Sequence, residues 1–88
     1  MAVVKVKFSG NADQFGVRLD DDVLAFDAQG EASDDKPPGV HFLTFFVIAP
    51  PGTPDCKIEI TAPPSAAWKR DITIPANGVN GGFKKFTI

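Results

Sequence analysis

Residues 39–51, GVHFLTFFVIAPP, are apolar at both parities. Val40, Phe42, Phe46 and Ile48 fall on one parity, with Thr44 among them. Leu43, Phe45, Val47 and Ala49 fall on the other, which starts at His41. The run is rich in β-branched and aromatic side chains and is bracketed by Pro37-Pro38-Gly39 and Pro50-Pro51-Gly52. Two proline pairs leave no room for a helix to start and stop, so residues 40–49 are expected to form a strand. A strand apolar on both faces needs cover on both. A single sheet cannot give it, and the expected fold is therefore a small two-sheet β-sandwich.

Working outward, period-2 alternation recurs along the chain. Val4, Val6 and Phe8 alternate with lysines, and Phe15, Val17 and Leu19 alternate with Gly16 and Arg18. Asp20-Asp21-Asp22 turns the chain into Val23–Phe26, and the polar residues 27–38 read as a loop. Further strands are expected over 56–62, 71–74 and 82–88, making about seven in all. No segment has a 3.6-residue period, and the best candidate for a helical turn is the short Ser65–Trp68. The strand count suits an immunoglobulin-like or fibronectin-like architecture. The cysteine pair and the tyrosine corner of immunoglobulin domains are missing, since the chain has one cysteine and no tyrosine.

Eighty-eight residues make one domain, 1–88, with one core and little surplus stability. The net charge is −2 and the pI is ≈ 5.1, which argues against nucleic acid or an anionic membrane as partner. The charges are unevenly spread. Residues 1–40 carry four basic and eight acidic side chains, and residues 41–88 carry five basic and three acidic. The fold could thus have an acidic end and a mildly basic one, but an ordinary solvated surface is the expectation for most of these charges. No apolar run approaches the ~20 residues of a membrane-spanning helix. The N-terminus alternates like a strand rather than a signal peptide, and the lone Cys56 suits a reducing compartment. A cytoplasmic protein is the expectation.

Catalytic groups are sparse. His41 and Cys56 are the only conventional base and nucleophile, and no cofactor motif is present. If residues 40–49 and 56–62 form a hairpin, the two groups lie roughly 23–26 Å apart at ~3.3 Å per residue. His41 is then a strand-entry residue with its polar edge near solvent, and Cys56 a small core hydrophobe. The aspartates between 13 and 35 could supply oxygens to calcium, but their spacing matches no EF-hand loop, and turn and solubility duty is the expectation. No metal site is assigned. PANGVNGGF lacks the phosphate-loop frame, and its Asn77-Gly78 and Asn80-Gly81 pairs are turn formers. Lys84 and Lys85 suit an edge strand guarded against mispairing.

The same hairpin would place the charged side of 56–62 beside one face of residues 40–49. A pairing sum of 105 makes the outer set Phe42, Phe46 and Ile48, and a one-residue slip makes it Leu43, Phe45 and Val47. Either the loop 27–38 or Trp68 folds over that face, or the face is an interaction surface. The expected function is a non-catalytic binding module acting by protein–protein contact, with a homodimer as one form. The alternative is a carbohydrate-binding module in which Trp68 stacks on a sugar.

Overall fold

A computed structural model describes all residues, Met1–Ile88. The chain is all-β. Eight strands run in the order β1 (Ala2–Ser9), β2 (Gln14–Leu19), β3 (Asp22–Val23), β4 (Glu31–Lys36), β5 (Val40–Ile48), β6 (Cys56–Ala62), β7 (Trp68–Ile72) and β8 (Val79–Thr87). One 3₁₀ turn, Pro64–Ala66, precedes β7. The strands form two four-stranded antiparallel sheets, sheet A in the order β4-β1-β6-β7 and sheet B in the order β3-β2-β5-β8.

The core lies between the sheets and follows from alternation. Val4, Val6 and Phe8 of β1 and Cys56, Ile58 and Ile60 of β6 face inward from sheet A. Val17 and Leu19 of β2 and Leu43, Phe45 and Val47 of β5 meet them from sheet B. Phe8 stacks on Phe15 with ring centroids 4.0 Å apart, and Phe26 closes on Phe15 edge-on at 5.2 Å. Cys56 is fully buried, and burial raises its thiol pKa, so thiol reagents should label the native protein far more slowly than the unfolded chain.

Several expectations are corrected. Residues 40–49 and 56–62 do not form a hairpin: β5 pairs with β2 and β8, and residues 50–55 carry the chain across to sheet A. Three prolines among those residues, Pro50, Pro51 and Pro54, suit a crossing better than a tight two-residue turn. The polar stretch 27–38 is not all loop, because Glu31–Lys36 is β4, paired along its whole length with β1. Asp27 launches it: its Oδ1 accepts the Gln29 and Glu31 amides, while Gly30 takes φ 77°. Sheet pairing here overrides the low strand propensity of EASDDK. The chain leaves the sheet after Val23, so Val23–Phe26 is a strand only at its start. Trp68 opens β7 rather than lying in a connection, which moves that strand several residues earlier than 71–74. Asn77-Gly78 does turn, with Gly78 at φ 75°, but Asn80-Gly81 lies inside β8.

The parity of β5 can be checked with two adjacent residues. Phe45 is 5% exposed and Phe46 45% exposed. Phe45→Asp should bury an unpaired charge and leave no cooperative melting transition. Phe46→Asp should fold and lose no more than about 1 kcal/mol by thermal melting, as a surface substitution does.

Candidate functional site

The outward side chains of sheet B form a grid. Its central row is Val40, Phe42, Thr44, Phe46 and Ile48 of β5, every one exposed. Ile48 sits between Gln14 of β2 and Val79 of β8, Phe46 between Gly16 and Gly81, and Thr44 between Arg18 and Phe83. Lys85 flanks Phe42 and Thr87 flanks Val40, while Val23 of β3 stands beyond Arg18. Nine large hydrophobic side chains of the protein are exposed, and seven of them, all but Met1 and Val3, belong to this grid. Sheet A shows what an ordinary wet face looks like: its outward positions include Lys5, Lys7, Glu31, Lys57 and Glu59.

Glycine shapes the centre of the grid. A Cβ built on Gly16 would lie 2.2 Å from Cε1 of Phe46, so the Phe46 ring lies over the bare backbone of β2. Between that ring and Val23 is a shallow apolar hollow of ≈ 390 Å³, floored by Gly16 and Val17 and bordered by Arg18 and Thr44. Its volume would admit one large apolar side chain. Arg18 and Lys85 border the grid, Asp20 stands across from Phe42 with its carboxylate taken up by His41 and the Phe42 amide, and β2, β5 and β8 carry no carboxylate of their own. An apolar, flat, cation-rimmed face about 30 Å long and about 15 Å wide results, from ~3.3 Å per residue and ~4.8 Å between strands.

The structure thus places Phe42, Phe46 and Ile48 on one exposed face, as the 105 register requires, although the hairpin behind that register does not exist. Neither the segment 27–38 nor Trp68 folds over them, since β4 and β7 belong to sheet A. Val40, Val23, Val79 and Phe83 complete the face. Val40 was legible as the same parity. Phe83 and Val79 could be joined to it only through the β5–β8 pairing. Trp68 lies apart, half-buried against Phe45 with ring centroids 6.5 Å apart. The Arg70 guanidinium and the Lys84 ammonium stand 5.5 and 5.9 Å from its ring centre, and both compete with any sugar for the ring's faces.

His41 is not a solvent-edged residue. It is buried, with Nδ1 2.7 Å from Asp20 Oδ2 and Nε2 2.7 Å from the Pro37 carbonyl oxygen. Both partners accept, so both ring nitrogens must donate, which only the imidazolium can do. The hydrogen bond to Asp20 chiefly, and then the one to Pro37, raises the His41 pKa against the opposing effect of burial. Burial also pulls Asp20 upward, but its bonds from His41 and the Phe42 amide outweigh that, and its pKa is lowered. Lys36 of β4 lies 2.6 Å from Asp22 and 3.7 Å from both Asp20 and Asp34. These aspartates are therefore held by cations from within the chain, and no three His, Cys, Asp or Glu side chains converge as metal ligands do. The cluster ties the β2–β3 turn of sheet B to β4 of sheet A.

No family model, no curated protein and no solved structure matches this chain. No helix is long and apolar enough to cross a membrane. The surface itself has to carry the functional argument.

The cluster has a pH signature. Stability from the raised His41 pKa is complete below its unfolded value of about 6.5 and is lost as pH rises through the higher folded value. Stability from the lowered Asp20 pKa is complete above about 3.9 and is lost as pH falls through the lower folded value. The melting temperature should be highest between about pH 4 and 6.5 and fall on the alkaline side. His41→Gln should cost about 1–3 kcal/mol and flatten that alkaline slope. A melting profile that keeps the slope in the variant would show that another group titrates.

Proposed function

We propose that this protein is a non-catalytic binding module whose outer face of sheet B docks another protein. The sandwich is read as immunoglobulin-like or fibronectin-like in architecture, a scaffold that leaves a whole sheet face free for contact. The observation that carries the proposal is the sorting of exposed hydrophobics: seven of nine occupy one face. Exposed apolar residues scattered singly need no explanation, but a contiguous patch of this extent does.

The rim chooses among partners. Two copies placed face to face would bring Arg18 and Lys85 toward the same cations of the other copy. A partner with an apolar centre and carboxylates at its rim answers both features. Its anchor would be a single apolar side chain seated in the hollow between Phe46 and Val23, with an acidic neighbour on Arg18. Catalysis has little to work with, because the buried thiol and the buried imidazolium face different partners in different sheets.

A displayed library of random peptides, selected on the wild-type protein and re-tested on variants, supplies the test. Binders should be enriched in an aromatic or aliphatic residue flanked by Asp or Glu, and should lose at least about tenfold in affinity on Phe46→Asp or Phe83→Asp. Binders indifferent to both substitutions would place the binding site elsewhere. A glycan screen read through Trp68 fluorescence tests the carbohydrate alternative, and anionic vesicles test whether the face takes lipid. Saturable binding to either, abolished by Phe46→Asp, would replace a protein partner with that ligand.

A further inference from the structure

Each sheet has two lateral edges, and the fold has sorted charge between them. On one side lie β3 and β4 with the turn at Asp20–Asp22; on the other lie β7 and β8. Every ion pair within the chain gathers at Lys36 and His41 on the first side. Asp21, Glu31 and Asp35 remain there without a cation, while Lys69 and Lys85 on the second side form no ion pair and Asp71 is the one carboxylate among the residues of β7 and β8. The uneven charge of the two halves of the sequence has become a difference between the two edges.

The opposite edges are also level with one another. Across sheet B, Lys84 pairs with Leu43, Leu43 with Leu19, and Leu19 with Asp22. Across sheet A, Lys69 pairs with Glu59, Glu59 with Lys7, and Lys7 with Glu31. Each sheet has four antiparallel strands, an even number. A second copy set alongside, shifted by about 19 Å and turned about the row axis to follow the sheet twist, therefore presents its β4 antiparallel to β7 and its β3 antiparallel to β8. Lys69 then faces Glu31 of that copy, and Lys84 and Lys85 face its Asp20–Asp22 turn.

The edge of β8 is open where those lysines sit. Gly39 and Ile88 exchange both backbone hydrogen bonds, so Phe83, Lys85 and Thr87 direct their own N–H and C=O groups away from β5. Upstream the edge is closed: the Val79 and Gly81 amides donate to the Asn77 and Asn80 side chains. Like edges repel, lysine on lysine or carboxylate on carboxylate, which opposes symmetric edge-to-edge pairing. Unlike edges attract.

We infer that copies of this chain associate head to tail, the β7/β8 edge of one against the β3/β4 edge of the next. The contact is heterologous, so it grows as an open row rather than closing as a dimer. It leaves the apolar side chains of the proposed docking face open and shares only its rim residue Lys85; Lys69 and Glu31 lie in sheet A and Asp21 in the turn after β2, outside that face, so either proposal can fail without the other.

Sedimentation velocity over a concentration series tests it with two charge-reversed proteins. Lys69→Glu with Lys85→Glu leaves both edges net acidic, and Asp21→Lys with Glu31→Lys and Asp35→Lys leaves both net basic; all five side chains are exposed and none belongs to the His41–Lys36 cluster. Wild type should associate reversibly at about 20 mM salt and weaken at least about tenfold at 0.5 M, where screening is short-ranged. Each variant alone should stay monomeric, and an equimolar mixture of the two should associate again. The inference is overturned if wild type remains monomeric at about 1 mM protein in low salt, or if the variants associate alone, since charge steering of an open edge demands the opposite. It is equally overturned if the mixture stays monomeric, or if Phe46→Asp rather than edge reversal abolishes association.

Discussion

One core is available to 88 residues, and β5 can give it only one of its two apolar faces. Leu43, Phe45 and Val47 take that side and meet Ile58 and Ile60 across the sandwich. Everything else follows from the choice. β2 and β8 must flank β5 because their own inward residues, Val17, Leu19 and Phe86, continue the same buried layer. The outward face then inherits Phe42, Phe46 and Ile48, and the pairing adds Val79 and Phe83 beside them. A face made apolar by the sequence has been left open by the topology.

Much of the fold was legible because alternation speaks for inward and outward positions one strand at a time. It made β1, β2, β5 and β6 plain, and with them the two-sheet arrangement. It could not say which strands are neighbours. The β5–β6 connection illustrates the limit: sequential strands usually pair, and here they lie in different sheets. The sequence left the outer set of β5 between two parities, and burial of Leu43, Phe45 and Val47 decides for Phe42, Phe46 and Ile48. β4 was illegible for a different reason. EASDDK has only Ala32 to bury, and what holds it is the β1 ladder, a long-range partner that local propensity does not see. The exposed apolar face was half legible in the same way. Its β5 row could be read along the chain, but Val23, Val79 and Phe83 join it only through pairing.

The ionic cluster shows topology giving charges a role that composition left open. Aspartates in the β2–β3 turn would be solvated if β4 were a loop. With β4 paired to β1, Lys36 reaches Asp22, and His41 bridges Asp20 to the carbonyl of Pro37, just past the end of β4. The two sheets are thereby fastened at their acidic side by charged hydrogen bonds. At the other side Trp68 is held by Phe45, Arg70 and Lys84 from both sheets. Different chemistry closes each flank, and the sign of the leftover charge differs accordingly.

Magnitudes connect the open face to the charged edges. Even if all of a face of about 450 Å² were apolar, ~25 cal/mol per Å² would give at most about 11 kcal/mol gross from this protein's side. Association itself costs about 4–15 kcal/mol, so the face of one copy supports only weak docking by burial alone. A tight complex needs something more: an anchor in the hollow at Phe46, carboxylates for Arg18 and Lys85, or more face. Head-to-tail rows, if they form, would supply the last. Copies aligned through their edges set their sheet B faces side by side, and a partner spanning two of them gains the second face without a second full loss of translational freedom. Sheet twist limits how many copies one flat partner can follow, at ~20–25° per strand. The gain is therefore greatest for a pair of neighbours, and a partner long in the direction across the strands benefits most.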